Sequence, residues 1–244
     1  MEQNLKIEEY KDLLESITSL CDKMPEIIML NYFDSNQYLY SLYHEAFNSI
    51  KGVCVLFGNG GLIPQAATVL RMAIEQTATI RVLETNKDLQ PIYKEHKKLR
   101  FALKDLDSSE KKKKVKEHFG ERITSSDRPL EYLEYGWMKS IKKEYGLNSL
   151  IDLSKIQEDE AIKHWKDQLN HFVHGTIEFT NLLTSIDAPI IYAHALILIV
   201  AKLLDNLICD FHNDNKFNFI IDDIDYRKKF IDAYKATEEE IGKE

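Results

Sequence analysis

The reading of the fold turns on PQAATVLRMAIEQTATIRVLET, Pro64 to Thr85. Ala66, Ala67, Leu70, Ala73, Ile74, Thr77 and Ala78 recur at three-four spacing, which places them on one broad side of a helix. Val69, Met72, Ile80, Val82 and Leu83 extend the apolar surface around most of the circumference. A helix apolar nearly all round has to be enclosed by others, so the stretch predicts the centre of a helical bundle. Arg71 and Glu75 interrupt it four residues apart, and are therefore neighbours on one face. Burying a lone charge is costly, so both are expected to have partners.

Working outward toward the N-terminus, the same three-four pattern continues. Ser35 is a plausible cap for a helix whose stripe runs Leu39, Leu42, Tyr43, Ala46, Ile50, Val53 and Phe57, stopped by Gly58-Asn59-Gly60-Gly61. That glycine cluster lacks a P-loop's lysine and follows no strand, so it has no phosphate-binding role. Before it, Ile7 to Met24 carries Leu13, Leu14, Ile17 and Leu20, with Pro25 predicted to interrupt the helix.

Toward the C-terminus, Pro91 begins a helix with Ile92, Tyr93, His96, Leu99 and Leu103. From Lys104 to Arg128 both charge signs crowd around Lys111-Lys112-Lys113-Lys114 with few large apolar residues, which predicts an exposed, mobile insertion. Order resumes at Asp127-Arg128-Pro129, and short helices follow through Tyr132, Leu133, Trp137, Ile141 and Tyr145. A long helix over about Glu158 to Thr184 turns Ile162, Trp165, Leu169, Phe172, Thr176, Phe179 and Leu183 to the core. The next, Ala188 to about Phe211, is the most apolar and should be the most buried. A last amphipathic helix uses Ile224, Phe230, Ile231, Tyr234 and Ile241. No alternating strand pattern appears, so the expectation is one all-α domain over residues 1–244 with an exposed insertion at 104–128.

Composition agrees. A chain of 244 residues with 44% hydrophobic content has ample material for a core, and 9 glycines and 5 prolines leave helices largely unbroken. A net charge of -8 excludes a general nucleic-acid coat but leaves room for a local basic patch. Cys21, Cys54 and Cys209 are far apart, odd in number and on apolar helix faces, which points to reduced core thiols in a cytoplasmic protein. Met1-Glu2-Gln3-Asn4 opens a polar helix without a signal peptide's apolar region. The run from Pro189 to Cys209 is broken by His194, Lys202, Asp205 and Asn206, too early for the roughly 20 apolar residues of a membrane span.

The densest chemistry lies on the other side of the helix from Glu158 to Thr184, where Asp167, Asn170, His171, His174, Glu178 and Asn181 gather. His171 and His174 are three apart, Asp167 precedes the first by four, and Glu178 follows the second by four. A carboxylate one turn away can orient an imidazole and raise its basicity, as general acid–base work requires. Polar residues on an ordinary solvated face show the same spacing. Glu-x-x-His and His-Glu-x-x-His, the usual helix-borne metal patterns, do not occur, so neither metal nor cofactor is expected.

Asn170-His171-Phe172-Val173-His174-Gly175 resembles the core motif of the HEPN superfamily, Arg-Asn-x-x-x-His, often followed by a small residue. Leu70-Arg71-Met72-Ala73-Ile74-Glu75, with His174-Gly175 about a hundred residues on, also resembles a bacterial helical family with an Arg-x-x-x-Glu helix and a His-Gly helix. The resemblance covers roughly Ser35 to Phe211. It implies an HEPN-like helical bundle acting as a metal-independent ribonuclease of a bacterial toxin or antiviral defence module. It also implies a homodimer, or assembly with a partner protein of such a system. Asn170 and His174 carry over by position, whereas the family's arginine falls at Leu169, which cannot stabilise phosphate charge. Two readings stand side by side. In one, Arg71 supplies the missing guanidinium, Glu75 holds it, Asn170 positions the phosphate and His174 is the general base or acid, with His171, Glu178 and Asp167 as secondary candidates. In the other, the protein is a non-catalytic binding or assembly subunit, and Arg71, Glu75 and His174 form a buried network that fixes helix register.

Overall fold

A computed structural model describes residues 11–32, 36–58 and 62–156, together with helical positions 162, 169, 196–197, 199–204 and 206–208. Every element among the described residues is helical: α1 (Lys11–Tyr32), α2 (Gln37–Gly58), α3 (Ile63–Thr85), α4 (Gln90–Ala102), α5 (Ser108–Phe119), α6 (Pro129–Tyr135) and α7 (Leu147–Ser154), with short 3-10 turns between some of them. The class is all-α, as the apolar spacing predicts. Among the described residues no helix is long and apolar enough to cross a membrane. The chain divides into two compact units. The first is Met1–Thr77 with Gln157–Glu244, and the second is Ala78–Ile156.

In the first unit α1 packs along α2. The α1 stripe is Leu14, Ile17, Leu20, Cys21, Met24 and Ile28, all buried, and it runs straight through Pro25. The predicted break at Pro25 does not occur, and magnitudes show why. A proline inside a helix costs about 3 kcal/mol. Burying each large apolar side chain returns about 1.5–3 kcal/mol, and a break would forfeit Met24 and Ile28 together. At the start of α2 the cap is Asn36, whose side-chain oxygen accepts the Leu39 N–H at 3.2 Å. Ser35 lies outside the described residues. In α3, Ala66, Ala67, Leu70, Ala73, Ile74, Ala78, Ile80, Val82 and Leu83 are buried, but Met72 is 53% exposed, so the helix has one open side. Ile162 and Leu169 are buried seven residues apart, one stripe of a helix as expected. Between 196 and 208, Leu196, Ile197, Ile199, Val200, Leu203, Leu204, Leu207 and Ile208 are all buried, which fits the most apolar stretch of the chain.

The second unit has its own small core. Leu103, Val115, Phe119, Tyr132 and Leu133 are buried together, with Leu99, Leu106, Ile123 and Tyr145 packed against them. Segment 104–128 therefore differs from the expected mobile arm. Its middle is helix α5, capped by Asp107, whose carboxylate accepts the N–H groups of Ser109 at 2.7 Å and Glu110 at 2.9 Å. Val115 and Phe119 lie one turn apart and anchor it, while Lys112, Lys113, Lys114 and Lys116 remain exposed.

Tyr132 is gripped on several sides, by Phe119 (5.1 Å between ring centres), His96 (5.5 Å) and Tyr145 (5.7 Å). A methyl group at Gly136 would sit 2.7 Å from that ring. Gly136→Ala is expected to cost about 1–3 kcal/mol, because the gripped ring cannot retreat, and a lowered melting temperature is the readout. In the first unit, Ile197→Asp buries an unpaired ion and is expected to cost about 3 kcal/mol or more. Urea unfolding of the variant measures it, and an unchanged midpoint would place this helix at the periphery.

Candidate functional site

Of the residues singled out from the sequence, Arg71 and Glu75 are described. Asp167, Asn170, His171, His174 and Glu178 lie outside the described residues. Arg71 and Glu75 occupy successive turns of α3, both half-buried, on the face that adjoins exposed Met72. The flanking Leu70, Ala73 and Ile74 are buried, so α3 seats the guanidinium stem in apolar surroundings. The Nε of Arg71 is buried and meets no hydrogen-bond acceptor among the described residues. Gln76 Oε1, on the adjoining part of the same turn, is likewise buried without a donor. A buried donor left unmade costs about 1–3 kcal/mol, and such exceptions in a folded protein call for a ligand, a water or a function.

Leu169 is 1% exposed. The position that would carry the resembling family's arginine thus belongs to the core here.

Neither cysteine among the described residues, Cys21 or Cys54, offers an alternative nucleophile. Cys54 borders an open groove of about 850 Å³ between α1 and α2. Burial pushes its thiol up to about 12, and burial raises Cys21 well above its ordinary value too. Both therefore stay protonated and unreactive near neutrality.

The second unit holds two polar clusters that sequence reading missed. Arg122 donates from both terminal nitrogens to Glu95, Nη1 to Oε2 at 2.9 Å and Nη2 to Oε1 at 2.6 Å, and His118 Nε2 lies 2.9 Å from the same Oε1. This bidentate pair clasps the turn after α5 to α4. Hydrogen bonds from Arg122, then burial acting the other way, then His118, leave the Glu95 carboxyl at about 2. Around Asp127, Lys139 Nζ donates to Oδ2 at 2.6 Å, Tyr145 OH to Oδ1 at 2.6 Å, and the Thr124 N–H to Oδ2 at 2.7 Å. Burial raises the Asp127 pKa, but the Lys139, Tyr145 and Thr124 donors outweigh it and hold the carboxyl well below the usual range. Nearby, His96 is buried against Phe119 at 4.4 Å and its Nδ1–H donates to the Leu133 carbonyl at 3.2 Å. Burial lowers its pKa, so the ring is neutral. Glu95 and Arg122 are 27 residues apart and Asp127 and Lys139 are 12 apart, separations that helical spacing does not read. With their acceptors filled, both carboxylates are structural fasteners rather than general bases.

The architecture defines a class: an all-helical protein of two compact units, with a half-buried guanidinium set into an apolar helix. Residues 36–187 match a family of unknown function, DUF5677, and the chain belongs to that family. Searches of curated proteins and of solved structures return no match.

All three groups of the second unit respond to acid in one direction. A neutral buried histidine supports folding above its unfolded pKa of about 6.5 and withdraws that support as pH falls below it. The carboxylates Glu95 and Asp127 support folding above roughly 4 and lose that contribution on further acidification. Stability is therefore expected to decline in two stages on acidification. Asp127→Asn should flatten the lower stage and His96→Gln the upper, as denaturant midpoints measured across pH would register.

Proposed function

We propose that this is an HEPN-like, metal-independent RNA-cleaving or RNA-processing protein of a bacterial defence or toxin module. The observation that carries the reading is Arg71, a half-buried guanidinium on an apolar helix with a buried Nε–H that lacks an acceptor among the described residues. A phosphate oxygen is the acceptor that a planar guanidinium suits best. Leu169, buried at the position of the resembling family's arginine, cannot supply that guanidinium, so the reading requires Arg71 to do so.

In the proposed reaction a ribose 2′-hydroxyl attacks the adjacent phosphorus, the P–O5′ bond breaks, and a 2′,3′-cyclic phosphate and a 5′-hydroxyl result. His174 takes the 2′ proton or delivers one to the leaving oxygen. Arg71 stabilises charge on the non-bridging oxygens, Glu75 holds Arg71, and Asn170 positions the phosphate or the imidazole. The resemblance also leads us to propose a homodimer, which brings two copies of His174 toward one groove.

Cleavage of a labelled RNA is expected to persist in chelator and to leave cyclic phosphate ends. His174→Ala should abolish it with little change in melting. Arg71→Lys should fail nearly as badly as Arg71→Ala, since an ammonium cannot make two parallel bonds to phosphate. Leu169→Arg should lower the melting temperature without raising activity. The alternative, a binding or assembly subunit with a structural Arg71–Glu75–His174 network, predicts no cleavage by any variant and a loss of melting temperature in both alanine variants. An active protein that light scattering shows to be monomeric would exclude a composite dimeric site.

A further inference from the structure

The outer face of α1 carries its charges in an ordered pattern. Lys11, Glu15, Ser19, Lys23 and Glu26 are exposed and fall, with half-buried Thr18, within a sector of about 140°, opposite the buried stripe. Asp22 shares the sector but is held by Lys51 of α2. Lys11, Glu15, Lys23 and Glu26 form no ion pair among the described residues. Their order reads the same when the helix is reversed and the signs are exchanged. Glu15 lies four residues before Ser19 and Lys23 four after it, while Lys11 lies eight before and Glu26 seven after.

A two-fold axis through Ser19 that sets two α1 helices antiparallel therefore places Glu15 against Lys23 of the partner subunit. It also places Lys11 against Glu26 of the partner subunit, and the symmetry makes each pair twice. Parallel helices would set like charges on like, so the pattern selects a direction as well as a partner. At the axis the side chains are small, Thr18 and Ser19, and allow two helices to approach closely. Beside them runs the open groove of about 850 Å³ between α1 and α2, where Leu14, Cys54 and Gly58 form part of the lining and Val55 is 46% exposed. The groove by itself names no occupant, but the charges along its α1 edge do.

We infer that α1 is a dimerisation face, on which a second copy of this chain lays its own α1 antiparallel about Ser19 and covers Val55. Exposed ion pairs contribute little each, so the dimer is weak and loosens as salt screens the charges. The inference rests on the proposed function only in that both require a second copy, since this surface uses neither Arg71 nor His174. A partner of another sequence would need the same charges in reverse order, which a second copy has by symmetry.

The test is sedimentation of the full chain over a range of concentrations, at low and at high salt. Wild type should dimerise, more weakly in high salt. Glu15→Lys with Glu26→Lys should loosen the dimer about tenfold or more, and so should Lys11→Glu with Lys23→Glu, because attraction becomes repulsion. Melting of the monomer should be unchanged, since all four side chains are exposed. The two double variants should bind each other when mixed. All four reversals in one chain should restore the homodimer, because the inverted pattern is again self-complementary. Ser19→Cys should give a disulfide-linked dimer on mild oxidation. A monomer at every concentration would overturn the inference, and so would double variants that ignore each other when mixed. A dimer indifferent to the reversals would overturn it too, while leaving the proposed composite site to form elsewhere. RNA cleavage by a double variant that has become monomeric would uphold the surface and remove the composite site.

Discussion

The governing constraint is enclosure of helices that are apolar on more than one side. α3 buries residues at nearly every second position, and the residues around 200 do so almost continuously. α3 leaves one open side, at Met72. In the first unit α1 and α2 each contribute a three-four stripe of their own. This explains why Pro25 is tolerated: the stripe that encloses the core continues on both sides of it, and the lost backbone bond is small beside what a break would expose.

Where the enclosing pattern is long, the fold was legible. The helix at Pro64–Thr85 and the helical, buried positions between 196 and 208 follow from spacing alone, as do the buried positions Ile162 and Leu169. Where it is short, reading faltered. In α5 the apolar signal amounts to Val115 and Phe119, one turn apart in a field of lysine, and their partners Leu103, Tyr132 and Leu133 come from both flanks. Two apolar residues do not make a stripe, and only assembly with distant segments reveals that they anchor a helix. The division into two units left a trace, since residues 78–156 are basic in an acidic chain, but net charge over the whole length conceals it.

The candidate site shows the same limit from another side. Arg71 and Glu75 were legible because both stand on one helix, four apart among apolar neighbours. The clasp of Glu95 by Arg122 and the three donors on Asp127 were not, because each joins elements that meet only in the folded chain. Met72 was placed in the core on spacing and is instead exposed, next to the arginine. One open side on an otherwise enclosed helix is where a ligand could reach a guanidinium whose stem is held by the core.

The buried thiols carry a consequence of another kind. Cys21 lies within the α1 stripe and Cys54 within that of α2, both nearly sealed from solvent and both kept protonated by that burial. An alkylating reagent meets them as thiolates only when these helices part. Their modification rate in the native protein is therefore a clock of the local opening of α1 and α2, read without adding a probe.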